Sequence, residues 1–523
     1  LANDIDATAA NGVLPAGIWG SGGFVPIGLG STFEGQFDGA YRAITNLTIN
    51  RADTNMVGLF SRQSNATNAG ISNLRLINVA VTGGGNTGGA VGIADWLLTN
   101  VWVTGRVTGG EATGGIVGWA TAGMLNLHFD GSVQGTGSVG GVVGEAFANG
   151  SNLSATGSVS GDHVVGGIAG RVTNNATLRD SFSTSSVTAA RYDAGGVAGA
   201  FTGGLITNVW SSGAVTSPTS AGGLLGLHFG GRINNAYWDR QSSGQAAAIG
   251  DMAGGTRAAL TGLTTAQARN AASYSNFSNF NSVWYQGSDM RPILRGEALA
   301  VSDGTIGVFN ARQLQVINAN LSGTYTLLHD IDLSATNSTV GSAGIWGASG
   351  WVPLGTDGAG NVWGGSNFRS IGSITSGIYG FTGALYGGGY DLTGLYINRA
   401  TIKNAGLFGV SAGIIDSVNV SGTVIGASGI GGLVGMQKDG TILDSTSSVN
   451  VSGTMLVGGL VGNQVAGSVI GSTATGTVAG TDDVGGLIGY AAGSIDRSYA
   501  TGAVSGNRYV GGLLGYLYRG SVS

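Results

Sequence analysis

Gly467 to Gly489 reads GSVIGSTATGTVAGTDDVGGLIG, and at a constant offset of 26 it lies over GSIDRSYATGAVSGNRYVGGLLG, Gly493 to Gly515. Val469 corresponds to Ile495, Val478 to Val504 and Val484 to Val510, while Ser472 and Ser498 keep their place. Each period holds three short apolar segments separated by Gly, Ser, Asn and Asp. Segments of four to six residues are too short for helices, and their β-branched content favours strands. Three strands in about 26 residues, with no helical stretch to cover a sheet face, predict one coil of a parallel β-solenoid. Each coil rises by about 4.8 Å, so equivalent residues stack into ladders along the axis. In VGGLIG, Leu487 and Ile488 are adjacent and apolar. They cannot both point inward from a flat strand, so the motif requires either a bend or a strand covered on both faces.

The Gly-Gly pair with its two small or aliphatic residues and third Gly extends this period along the chain. It begins at Gly88, Gly114, Gly140, Gly166, Gly195 and Gly222, with steps of 26, 26, 26, 29 and 27, and returns at Gly431, Gly458, Gly485 and Gly511 with steps of 27, 27 and 26. Glycine supplies 102 of the 523 residues and proline only 5. Glycine serves positive φ at corners and close backbone approach, and an interior rung leaves little room for proline because each N–H joins a ladder. Collagen is excluded, since Gly does not fall at every third position. Charged residues make up only 9% and apolar residues 42%, which excludes a charged disordered tail.

A larger repeat encloses the small one. LANDIDAT at Leu1 matches LLHDIDLS at Leu327, IWGSGGFVPIG at Ile18 matches IWGASGWVPLG at Ile345, and FEGQFDGAYRAITNLTINR at Phe33 matches FTGALYGGGYDLTGLYINR at Phe381. The offset rises from 327 to 348 between Gly355 and Phe381, so the second copy carries an insertion of 21 residues there. The expectation is two tandem right-handed solenoid units, residues 1–239 and 304–523, joined by a connector over 240–303. Within the connector, Thr264-Thr265-Ala-Gln-Ala-Arg predicts a short capped helix, and SNFSNFNSVWY, ending at Tyr285, predicts an aromatic cover for a solenoid end. Leu1 without a preceding Met, and a coil still in progress at Ser523, predict a piece of a longer protein.

These residues resemble large bacterial surface exoproteins of the filamentous-haemagglutinin type that carry GLUG repeats. The resemblance rests on the DID opening, W-x-x-x-G-F-x-P-I-G from Trp19, F-x-G-x-F-x-G from Phe33, LTINR ending at Arg51, VGLF at Val57 and the VGGLVG-like repeats. AYWD at Ala236, GLTTAQ at Gly262 and the segment from Trp284 to Pro292 add to it, so that nearly the whole chain is covered. It implies a β-solenoid shaft, secretion through an outer-membrane transporter partner, and a role in adhesion or biofilm.

The residues themselves carry little chemistry. A net charge of −5 gives no basic stripe for nucleic acid and no polybasic membrane patch. Cysteine is absent, which removes disulfides, thiolate metal sites and a Cys nucleophile, and no 18-residue apolar run suggests a membrane span. The four histidines, His128, His163, His228 and His329, lack metal-ligand spacing. Asp4 with Asp6, Asp330 with Asp332, and Asp482 with Asp483 are the candidate carboxylate pairs. In D-I-D the Ile should point inward and the two Asp outward, about 6.5–7 Å apart, a spacing usable for glycoside chemistry or calcium. The plainer reading makes them solvated residues at the start of a coil. Trp19, Trp346 and Trp351 are candidates for sugar stacking or, more simply, for a cap over the first rungs. Sequons stand at Asn46, Asn65, Asn276, Asn419 and Asn450. No catalytic, cofactor or metal residue is assigned. The expected function is a secreted, non-catalytic bacterial cell-surface adhesin or structural fibre. It would contact glycans or proteins of host or neighbouring cells, or further copies of itself, through loops such as 356–380. The rivals are a polysaccharide-active β-helix enzyme and a homopolymeric extracellular filament.

Overall fold

The structure, a computed structural model, describes the chain apart from residues 12–18, 65–68, 278, 301–303, 338–342, 360, 365–366 and 371–379. It divides into two compact units, Leu1–Ala268 with Ala272–Val283, and Trp284–Ser523 with Arg269–Ala271. Both are parallel β-solenoids.

In the first unit one coil consists of Met124–Gln134, Gly137–Gly140 and Val143–Ala146, the three strands the period predicts. Each strand pairs in parallel with the same segment of the coils on either side, so Leu127 stands between Val101 and Leu153, and Phe129 between Val103 and Ala155. Val107, Val133, Val159, Val187 and Val215 form another column. All these side chains belong to one continuous buried core. The alternation of apolar and small polar residues therefore fixes the register, because a one-residue slip would turn every column to the other face.

Corners in the long strand come from left-handed residues. Asn73, Asn100, Asn126 and Asn152 have φ of 53°, 56°, 54° and 56°. Asn tolerates this region better than other non-glycine residues. Their amides form a ladder in which each Nδ2 donates to the Oδ1 of the previous coil, at 2.8 Å from Asn100 to Asn73 and 2.9 Å for the next two steps. In the second unit the corresponding strand is interrupted, giving Thr441–Leu443 and Thr446–Ser452 before Met455–Gly458 and Val461–Gln464. At the break, serine hydroxyls replace the ladder. Ser445 Oγ accepts from Val418 N at 3.1 Å, Ser472 Oγ from Ser445 N at 3.2 Å, and Ser498 Oγ from Ser472 N at 3.0 Å.

The adjacent apolar pair in VGGLIG is resolved by a bend. Asp482–Gly485 and Ile488–Ala491 are separate strands, the chain bends at Gly486 and Leu487, and both Leu487 and Ile488 are fully buried. The first glycine of the motif is there for contact and not for a positive φ. A Cβ at Gly458 would overlap the carbonyl oxygen of Val461 and lie 2.7 Å from Gly489 N and 2.9 Å from Ile488 Cα. The two arms of the bend thus pack backbone against backbone.

The expected boundaries move. Coils of the first unit continue past Asp239, because Ile249–Met252 pairs with Leu225–His228 and Thr256–Leu263 pairs with Arg232–Asp239. This last coil lacks the Gly-Gly motif and contains a helical turn, Arg240–Ser243, capped by Asp239. A boundary drawn from the glycine period therefore falls too early. The helix is Thr265–Ala268, with Thr264 Oγ1 accepting from Gln267 N at 3.2 Å and Gln267 Oε1 accepting from Thr264 N at 2.9 Å. That reciprocal pair is a capping box.

The aromatic segment divides. Tyr274 and Phe277 pack on Tyr237 of the first unit at ring distances of 4.9 and 5.1 Å. Trp284–Tyr285 instead pairs with Ile293–Leu294 in the second unit, which so begins before Gly304. The second unit also carries a helix, Ala311–Val316, whose Asn310 cap accepts from Gln313 N at 2.9 Å. Arg312 on this helix donates to buried Glu297 at 2.8 Å. These contacts do not repeat with the coil, so the period gave no sign of them.

Candidate functional site

The first carboxylate of each DID motif ties its coil to the next, and the second holds a turn. Asp4 Oδ1 accepts from Ala43 N at 2.7 Å, and its counterpart Asp330 accepts from Asp391 N at 2.9 Å. Asp6 accepts from Thr8 N, Thr8 Oγ1 and Asn46 Nδ2 at 3.0, 2.6 and 3.0 Å, and these bonds hold its carboxyl below the usual carboxylate range. Asp332 accepts from Ser334 N at 2.7 Å. The expected orientation of the central isoleucine holds for buried Ile331 but not for Ile5, which is 44% exposed on an edge strand with one ladder partner. Asp482 pairs with Arg508. Asp483 sits at a left-handed corner, φ 51°, where burial and then the adjacent Asp482 raise its pKa.

The other candidates are dispersed. Buried His128 stacks on Trp102 at 4.0 Å with Nδ1 2.7 Å from Ser154 Oγ, and His163 lies 3.6 Å from Glu111. His228 packs on Phe201, and burial lowers its pKa, while His329 contacts the Asp330 carbonyl. Among the described residues no three His, Asp or Glu side chains converge on a point that could hold a metal ion. Trp346 and Trp351 are buried, donating to Gln315 Oε1 at 2.9 Å and Leu407 O at 3.1 Å, whereas Trp19 packs on Phe24. Of the sequons, Asn46 is held by Asp6 and Asn78, Asn276 N donates to Tyr237 Oη, Asn419 Nδ2 donates to Gly389 O, and Asn450 accepts from Thr477. Asn65 and residues 360, 365–366 and 371–379 of the inserted loop 356–380 lie outside the described residues.

A function of the family-like LTINR segment is visible only in three dimensions. Arg399 donates to the carbonyl oxygens of Trp351, Gly358, Ser288 and Gly350 at 3.1, 2.6, 3.1 and 3.3 Å. Arg51, its counterpart, donates to Phe24 O and Gly23 O at 3.3 and 3.5 Å. The same guanidinium clamp thus fastens the same tryptophan-containing loop in both units. Burial pulls the Arg399 pKa down to about 10, against the upward pull of Asp289 and Asp357.

What remains accessible is the outer face of the coils. In the second unit Met436, Asn463, Tyr490 and Tyr516 form one outward column. Tyr490 stacks on Tyr516 at 5.6 Å and on Tyr518 at 6.0 Å, with interplanar angles of 18° and 22°. Asn463 and Tyr490 line an open groove of about 430 Å³ together with Leu456 and Asp483 from the left-handed corner and Val465, Ala492, Tyr518 and Arg519 from beyond the strand end. The Oδ1 of Asn463 is buried there without a hydrogen-bond partner. The sequence signal for this site was the succession Asn463, Tyr490, Tyr516 at one position of the period, which only the outward direction of that position makes meaningful.

The coils that form this groove match a known repeat. Residues 453–479 and 480–505 each match the GLUG motif. These two coils are similar to GLUG repeats. The GLUG coils hold Leu456, Asn463, Val465, Asp483, Tyr490 and Ala492, most of the groove. Over 108 residues the chain is 43% identical to halomucin of Haloquadratum walsbyi (strain DSM 16790 / HBSQ001), a stretch that covers 20% of this chain and 1% of halomucin. No solved structure matches the chain. Among the described residues no helix is long and apolar enough to cross a membrane.

Proposed function

We propose that this protein is a secreted, non-catalytic cell-surface shaft of the adhesin type, exported by an outer-membrane partner, whose stacked coils hold binding side chains away from the cell. The observation that carries this reading is the division of labour across the coil wall. Inward columns form a sealed apolar core, while outward columns present a lateral groove lined by aromatic and polar groups. The GLUG repeats and the similarity to halomucin support a surface location. The DID carboxylates, each accepting a backbone N–H, favour the shaft over a polysaccharide-active enzyme. Beads coated with the whole chain, passed over biofilm matrix and over bacterial and host cells, should be retained on at least one of them. Retention no better than beads carrying an unrelated protein of equal charge would remove the proposal.

A further inference from the structure

We infer that the groove between Asn463, Asp483, Tyr490 and Tyr518 is a binding subsite for a neutral oligosaccharide. The inference rests on the reading of the protein as an attachment shaft and names the surface and ligand class that would perform it.

The groove has the dimensions of a small-ligand site, about 430 Å³ within a usual range of about 300–1,000 Å³. Its chemistry is mixed in the way a sugar requires. Tyr490, Tyr516 and Tyr518 stand as near-parallel plates, and Tyr518 is 62% exposed, which puts aromatic surface beside the groove for the C–H groups of a pyranose. Beside the plates are planar groups that can each serve two hydroxyls: the Asn463 amide, the Asp483 carboxyl and the Arg519 guanidinium, which lies 5.9 Å from the centroid of the Tyr518 ring. The Asn463 amide lines the groove, and its Oδ1 has no hydrogen-bond partner within the protein.

Two observations narrow the class. Asp483 and Arg519 balance in charge, and Arg508 is held by Asp482, so the groove carries no excess cation to select a polyanionic glycan. An extended peptide is disfavoured because Val461–Gln464 and Ile488–Ala491 already pair on both edges, leaving no free ladder for an added strand. Because the groove crosses successive coils, a sugar chain running along the axis meets a new rung about every 4.8 Å.

The test is calorimetric titration of the whole chain with cellotriose, maltotriose and chitotriose, and with trigalacturonate as the acidic arm. At least one neutral trisaccharide should bind. Tyr518→Ala and Asn463→Leu should each weaken it tenfold or more, whereas Tyr386→Ala, an exposed tyrosine elsewhere, should leave it unchanged. Far-UV circular dichroism confirms that the variants fold, and Asn463→Asp serves if the leucine variant does not. No neutral binding at 10 mM, binding of trigalacturonate alone, or binding indifferent to both substitutions overturns the inference. Bead retention on cells is scored separately. Retention without trisaccharide binding discards the groove and keeps the shaft, and trisaccharide binding without retention does the reverse.

Discussion

Substituting Gly458 by alanine tests whether the repeated glycine pair serves backbone contact. The added Cβ overlaps the Val461 carbonyl oxygen and lies 2.7 Å from Gly489 N, against an ordinary carbon contact of about 3.5 Å or more. Both neighbours are backbone, so the two arms of the bend must separate by about 1 Å. Three bonds span this place: Gly459 N to Gly486 O at 3.1 Å, Leu460 N to Leu487 O at 2.9 Å and Val461 N to Leu487 O at 3.1 Å. An opening of that size puts them beyond hydrogen-bond range. At about 1 kcal/mol each, plus the strain of overpacking at about 1–3 kcal/mol, Gly458→Ala should destabilise the second unit by about 4–6 kcal/mol. Gly512→Ala is the matched control, since its Cβ meets nothing within 4 Å. Urea unfolding followed by circular dichroism measures the difference, and hydrogen exchange should place the loss in the coils around Gly458. Equal midpoints for Gly458→Ala and Gly512→Ala would refute the backbone-contact explanation of the motif.

Arg399→Met should destabilise the second unit by about 3–5 kcal/mol, because four carbonyl contacts of a buried cation are lost; Arg399→Lys should recover only part, lacking the forked donors. Thermal melts with hydrogen exchange on the loop around Trp351 check this. Phe129→Ala empties a fully buried column position and should cost about 3–5 kcal/mol in urea unfolding. Asn126→Ala breaks two amide-ladder steps and places alanine at φ 54°, so it should destabilise more than Asn126→Gly, which relieves the backbone strain but not the lost bonds. Equal stability of these two variants would locate the role of the residue in its side chain alone. Asp6 should titrate below the usual carboxylate range by NMR. Its stabilising contribution is then fully present above the unfolded value of about 4 and fades as pH falls through the lowered folded value.

The period of about 26 residues, the parallel solenoid and the inward columns were legible in the chain because stacked coils repeat their contacts with the sequence. Val107, Val133 and Val159 occupy one place in the period and one place in the core. The capped helix at Thr264 was legible for a different, local reason, since its capping partners are three residues apart. Amides at Asn100, Asn126 and Asn152 follow the period too, although their ladder depends on left-handed corners that composition alone does not reveal. By itself, then, the sequence determined what each coil repeats. Tertiary structure decided everything that breaks or crosses the repeat: the end of the first unit at a coil without its glycine pair, the Arg399 clamp on carbonyls of distant residues, and the groove. The physical reason is direction. Periodicity tells which residues stack, but the bend at Gly486 and Leu487 and the corner at Asp483 determine which of them face the core and which face a ligand.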